Sequence, residues 1–395
     1  MGADSLTESP AANGNTKLPV VILSTADIAA PIWTNKQHIA SRLAAERDVH
    51  YIESLGLRSP SISAKDLKRV LKRVSAIFSS QKLIENQIIP PRAGVEKIRL
   101  YAPLVIPFHA FGTVRAFNHR LIARSILPRL PERYALWSFS PLTYGLEDRA
   151  AKVVYHSVDL LHTIPGIPEQ ALLNGERQLI SRADAVIASS KGVAEHLCTQ
   201  GAQPLLWENV ADIELFVQAR SVVRERRAIF VGNLTPGKVD FKLLEAIVAK
   251  GVRLALAGPS GIDGTRRDAA LDRLLQSPLV EYLGVLSQEA LAAELGRSWM
   301  GIIPYHVNDY TTGVFPMKVY EYLGAGLPVV ATPLPSLVDK SIPDLNVVAQ
   351  SDFADLVAAI CTGAQPMLDG DFSGNSWTAR LEQICNLLAV DKEIG

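Results

Sequence analysis

Lys318 and Glu321 stand three residues apart in the stretch FPMKVYEYLGAGLPVVAT, residues 315–332, a spacing that makes two side chains neighbours on a helix surface. A lysine there can neutralise a phosphate, and a carboxylate there can accept hydrogen bonds from a pair of sugar hydroxyls. A second lysine, Lys238, closes the turn Gly232-Asn233-Leu234-Thr235-Pro236-Gly237-Lys238, whose backbone N–H groups suit a diphosphate. The turn is a near miss to a P-loop. The position that must supply a hydroxyl to magnesium is Val239, so ATP hydrolysis is rejected. Asp159 follows an apolar strand, with His156 and His162 close by; a carboxylate or imidazole at that place suits a general base. Each feature also has a plain structural reading. Lys318 and Glu321 could be a solvated pair on an ordinary α/β unit, and Asp159 could cap the next turn.

These residues need elements to hold them. Val319, Tyr322 and Leu323 share one helix face, Gly324-Ala325-Gly326 stops that helix, and Pro328 opens the buried strand Val329–Thr332. Earlier, LPVVILS (18–24), a helix over Trp33–Glu46 and a strand at Val49–Glu53 form a β-α-β opening. Further strands read at 134–138, 152–156 and 185–188, with helices at 168–181 and 191–199 between them. A second set of strands follows at 228–231, 254–257, 280–283 and 301–304. In a doubly wound sheet ligands sit at the carboxyl ends of the strands. The loop carrying Trp33, Thr34, Asn35, Lys36 and His38 should then face a cleft, with surface loop plus helix cap as the alternative.

The expected organisation is a mobile tail (1–17), a first Rossmann-like domain (18–210), a linker (211–227), a second Rossmann-like domain (228–372) and a closing helix (373–395). A chain of 395 residues, 48% hydrophobic and 20% charged, can build two cores. Residues 1–210 hold 24 Lys and Arg against 18 Asp and Glu, and the remainder holds 16 against 22. The first half is mildly basic, far short of a dedicated nucleic-acid binder. The three cysteines, Cys198, Cys361 and Cys385, have no metal-ligand spacing and suit a reducing cytoplasm. Asp369-Gly370-Asp371 reads as a solvated turn rather than a metal site. No apolar run reaches membrane-spanning length, and no signal peptide is expected. Residues 63–79 instead show the spacing expected of a basic amphipathic helix bearing Lys65, Lys68, Arg69, Lys72 and Arg73. Such a helix can dock on the core or lie on an anionic membrane, and Arg115, Arg120, Arg124 and Arg129 add to the second reading.

The order P-x-K-x-x-E-Y-x-x-x-G-x-P-V-V-x-T at 316–332 resembles the donor segment of GT-B-fold glycosyltransferases of group 1. Within that group the likeness is to the xanthan glucuronosyltransferase and teichuronic-acid glycosyltransferases. It rests on YHSVDLLHTI (155–164), Val231-Gly232-Asn233-Leu234, Pro304-Tyr305 and Met317-Lys318-x-x-Glu321. The resemblance implies two Rossmann-like doubly wound α/β domains facing a cleft, the first (18–210) binding the acceptor and the second (228–372) the nucleotide sugar, with the closing helix (373–395) packed back on the first. It implies a nucleoside diphosphate sugar, UDP-linked, as donor, with no cofactor and no metal. It implies donor contacts from Gly232, Asn233, Leu234, Lys238, Tyr305, Met317, Lys318 and Glu321, with Asp159 as base and Lys318 assisting catalysis. Many retaining members carry a second Glu eight residues before the first. Here that position is Gly313, which implies inversion.

The expected function is transfer of a hexosyl or glucuronosyl group to a lipid-linked or glycan acceptor in polysaccharide biosynthesis, at the cytoplasmic face of a membrane, with no nucleic-acid partner. Two rivals remain at this stage: a nucleotide-sugar epimerase on the same fold, and a non-catalytic carbohydrate-binding subunit. A glycosidase does not fit, because no two acids are singled out to flank one site.

Overall fold

The computed structural model describes residues 17–30, 33–58, 94–221, 223–260, 268–364, 368 and 370–389. The basic stretch 63–79 lies outside the described residues. In chain order the first domain comprises β1 (Val20–Leu23), α1 (Asn35–Leu43), β2 (Val49–Ile52), β3 (Ile98–Tyr101), α2 (Gly112–Ser125), β4 (Ala135–Ser138), β5 (Lys152–Ser157), α3 (Glu169–Ile180), β6 (Ala185–Ala188), α4 (Lys191–Thr199) and β7 (Leu205–Leu206); the chain then enters α5 (Ile213–Gln218), whose buried Ile213 and Phe216 pack into the core of the second domain. Its strands pair in parallel in the order β3-β2-β1-β4-β5-β6-β7. Continuous runs such as VVIL in β1 and ALWS in β4 are wholly buried, as strands covered on both faces must be.

The second domain runs β8 (Arg227–Val231), α6 (Phe241–Ala249), β9 (Arg253–Ala257), α7 (Ala269–Leu275), β10 (Val280–Gly284), α8 (Gln288–Arg297), β11 (Met300–Ile303), α9 (Asp309–Thr312), α10 (Lys318–Gly324), β12 (Val329–Ala331), α11 (Pro335–Val338), β13 (Leu345–Val347) and α12 (Gln350–Thr362). Its parallel sheet has the order β10-β9-β8-β11-β12-β13. The strand order reverses direction between β1 and β4 in one domain and between β8 and β11 in the other. Loops leaving those strands diverge and open a crevice at the carboxyl edge.

Three hydrophobic clusters build the cores, two on opposite faces of the first sheet and one around the second. The last helix, α13 (Trp377–Ala389), belongs spatially to the first domain, where Trp377, Ile384 and Leu388 complete one face of its core. Trp377 stacks on His38 of α1 at 4.7 Å between ring centroids, and truncating so large a buried ring typically costs about 3–5 kcal/mol. The expected helix Trp33–Glu46 is shorter in the structure. The Gln37 side chain accepts from the Thr34 N–H at 3.0 Å, marking the start of α1, which ends at Leu43. The stretch expected as a linker holds α5, and Asp212 is tied to Arg42 of α1 at 3.0 Å.

Candidate active site

Both crevices face one interdomain cavity of about 320 Å³. From the first domain it receives residues 33–36 and His38, after β1, and Val158-Asp159, after β5. The second domain contributes Gly232, Asn233 and Lys238 after β8, Tyr305 after β11, and Met317, Lys318 and Glu321 around the start of α10. Gly258, after β9, allows the floor to close. A Cβ there would sit 2.1 Å from the Gly232 carbonyl oxygen, and its φ of 129° disfavours any side chain. The Val231 N–H donates to the Tyr322 hydroxyl at 2.9 Å, fixing α10 beneath the Gly232 turn.

Three lysines from two domains converge on this cavity in different electrostatic states. Lys318 Nζ donates to Glu321 Oε2 at 2.7 Å, and both side chains are largely buried. Lys36 Nζ lies 3.8 Å from Asp159 Oδ2, an ion pair too long for a direct hydrogen bond. Burial pushes the Lys36 ammonium below the usual lysine pKa, against the attraction of Asp159. Lys238 Nζ sits 4.7 Å over the Tyr305 ring and, among the described residues, has no carboxylate within 4 Å. Burial opposes its charge too, but Tyr305, Tyr310 and Asp159 together hold its pKa above the usual lysine value. A charged lysine with no close carboxylate, beside a turn of backbone N–H groups, is free to meet an anion.

The α10 segment is strapped to the first domain. Asn35 Nδ2 donates to Asn209 Oδ1 (2.7 Å), and Asn209 Nδ2 donates to the Phe315 carbonyl (2.6 Å). Ser190 caps α4 by accepting from the Val193 N–H, and its hydroxyl donates to the Gly313 carbonyl at 2.9 Å. Gly313 has a φ of −83°, open to any residue. What restricts it is space: a Cβ there would approach Leu160 Cγ to 2.8 Å. The position where a second glutamate would stand is therefore filled by the residue that follows Asp159.

Eight of the nine residues expected at the site line the cavity: Asp159, Gly232, Asn233, Lys238, Tyr305, Met317, Lys318 and Glu321. Leu234 does not. It is 1% exposed in the second core, and its N–H donates to the Pro259 carbonyl, so the turn points this side chain inward. His156 cannot stand in for Asp159. It is fully buried against Phe139, Trp137 and Trp207, neither ring nitrogen has a partner among the described residues, and burial holds its pKa well below the ordinary value. His162 turns aside and stacks on His196 at 4.4 Å, and His196 meets Glu176 at 2.6 Å. Asp371 accepts from the Ser373 N–H at 2.8 Å, the geometry of a turn, and no cluster suited to a metal ion occurs among the described residues. Sequence reading placed Lys36 in a cleft-facing loop but missed its pairing with Asp159, and it missed Tyr310 altogether. The available signal for Lys36 was a cation in the first turn of a helix, where acids are favoured.

Residues 225–365 match the family model described as Glycosyl transferases group 1. The chain is 30% identical over 247 residues to TuaH of Bacillus subtilis (strain 168), itself only provisionally assigned as a teichuronic acid biosynthesis glycosyltransferase. That match takes in 59% of this chain and spans 60% of the length of TuaH. Sucrose-phosphate synthase from Thermosynechococcus elongatus superposes with a TM-score of 0.64 at 18% identity, over 94% of this chain and 98% of its own. An E. coli trehalose-6-phosphate structure bound with UDP-2-fluoro glucose gives a TM-score of 0.55 at 12% identity, over 95% and 96%. Identities this low speak for the fold alone. The second domain is thus similar to group 1 glycosyltransferase domains over residues 225–365, and the two parallel-sheet domains share the GT-B fold. No helix among the described residues is long and apolar enough to cross a membrane.

Proposed function

We propose that this protein is an inverting glycosyltransferase of cell-surface polysaccharide assembly, moving a hexosyl or glucuronosyl group from a UDP-linked sugar to a lipid-linked or glycan acceptor at a membrane. One observation carries the reading. A carboxylate from the first domain, Asp159, and a lysine of the second, Lys238, with no carboxylate within 4 Å among the described residues, face each other across one cavity that also holds Glu321. Glu321 accepts from the ribose hydroxyls, while Lys238, Lys318 and the Gly232 turn receive the diphosphate. Asp159 takes the proton of the acceptor hydroxyl as its oxygen bonds to the anomeric carbon. The bond from that carbon to the diphosphate oxygen breaks, and the diphosphate leaves onto the lysines. These cations supply the charge stabilisation, so no metal ion is required, and turnover should survive chelation by EDTA. Packing at Gly313 supports inversion, since the second carboxylate of the paired-glutamate form has no room there.

The basic stretch at 63–79, the mildly positive first half of the chain and the likeness to TuaH support a membrane-associated acceptor in surface-glycan assembly, and with it a peripheral place at the cytoplasmic face. Asp159→Asn tests the chemistry. It keeps the shape and removes the base, so turnover should fall about 10²–10⁴-fold, with UDP affinity nearly unchanged because the base lies in the opposite domain. Near wild-type turnover would remove Asp159 from the role. Conversion of donor with no acceptor present would point to an epimerase instead.

A further inference from the structure

Lys36 breaks two electrostatic rules at once. It sits at the second position of α1, where unpaired backbone N–H groups favour anions, and the first turn holds no acidic side chain to offset it. Its side chain is also only 8% exposed, where an ammonium loses most of its hydration. Among the described residues Asp159 is the one carboxylate within 4 Å of it, and the Phe139 ring lies 5.9 Å away. Asp159, by contrast, has its side chain 32% exposed and lies on a loop, so it needs something to hold it.

We propose that Lys36 is a positioning residue for the transfer reaction, drawing Asp159 Oδ2 towards the first domain so that Oδ1 stays aimed into the cavity at the acceptor hydroxyl. This inference rests on the reading of Asp159 as the base. The other groups around Asp159 leave that task to Lys36. Lys238 and Tyr310 approach it from the second domain, on the side where the donor phosphates would lie. His162 and Glu176 share a small recess with it but are engaged with His196. Among the described residues Lys36 alone pairs with the carboxylate from its own domain, through a contact of 3.8 Å that constrains direction without consuming a hydrogen-bonding lone pair.

A double-mutant cycle on the full chain tests the coupling. Lys36→Met should lower kcat about tenfold to a hundredfold, the cost of a misaligned reacting group, while donor KM and UDP affinity stay near wild type. Lys36→Arg, which keeps the charge, should restore most of the loss. In an Asp159→Asn background, Lys36→Met should change the residual rate less than threefold, because there is no longer a base to aim. UDP-induced thermal shifts serve as the folding control for every variant. A Lys36→Met enzyme with wild-type kcat, alongside an inactive Asp159→Asn, overturns the proposal and leaves the base intact. An equal loss in both backgrounds also overturns it, because Lys36 would then act on substrate directly. An active Asp159→Asn overturns the base assignment, and the positioning role falls with it.

Discussion

Removing the Glu321 carboxylate should weaken nucleotide binding by an amount that the geometry limits. Glu321 is 7% exposed on the cavity wall, and Oε2 is already taken by Lys318 at 2.7 Å. That leaves Oε1, plus one lone pair of Oε2, for the ribose. A hydrogen bond to a charged group is worth about 1.5–3 kcal/mol, so Glu321→Ala should raise the UDP Kd by about 10- to 150-fold. A second ribose bond shared with the Lys318-bound oxygen would add little. Glu321→Gln keeps an acceptor and the shape but loses the charge, so its Kd should fall between the two. Without its partner, Lys318 becomes an unpaired and mostly buried cation, and the apo protein should lose stability as well. The two effects separate by experiment: calorimetric titration with UDP reads the first, and the apo melting temperature reads the second. The Lys318→Met, Glu321→Ala double variant removes the stranded charge, so it should recover apo stability without recovering UDP affinity. If folded Glu321→Ala binds UDP as wild type does, Glu321 is a structural partner of Lys318 and the ribose contact is wrong.

Gly313→Ala places a methyl group 2.8 Å from Leu160 Cγ; overpacking of this kind costs about 1–3 kcal/mol. Because Leu160 adjoins Asp159, kcat should fall more than UDP affinity, and an unchanged kcat would mean the two domains do not meet this closely during turnover. His156 is buried and neutral, with its pKa depressed by burial. The unfolded chain therefore binds the extra proton as pH drops below about 6.5, and the native state is destabilised by up to ~1.4 kcal/mol per pH unit until the folded pKa is reached. Melting curves of His156→Phe between pH 7 and pH 5 should decline less steeply than those of the wild type while turnover persists; parallel curves would show that the imidazole is protonated in the fold. Replacing Lys68, Arg69, Lys72 and Arg73 with Gln should release the protein from anionic vesicles, each basic residue contributing roughly 1 kcal/mol near the surface. A wild type that ignores such vesicles at low salt in a sedimentation assay would refute the membrane reading.

Local chemistry made much of this molecule legible in the sequence. Apolar runs of strand length such as VVIL and VVA announce buried parallel strands, and Gly326, with a φ of 73°, takes the left-handed turn expected after α10. Spacing of three put Lys318 and Glu321 on one helix face, where the structure shows them bonded. The inward turn of Leu234 was not legible in the same way. A motif specifies backbone shape, and neighbouring strands decide which side chains of that backbone meet the core.

The partnerships across the cavity were decided by tertiary structure alone. Asn35 meets Asn209 across a separation of 174 residues, and Lys36 meets Asp159 only because β1, β4 and β5 lie side by side with their carboxyl ends on one edge. His156 reads as a plausible base in sequence and becomes inert once three aromatic rings enclose it. The sequence by itself determined most of the strands, though not β3, β7 or β13, and the helix–turn–strand order around α10, because those depend on residues a few positions apart. Which charges are paired, which are buried and which remain free for a ligand depends on desolvation and on distances of a few ångströms between remote segments. Only the folded chain sets those distances.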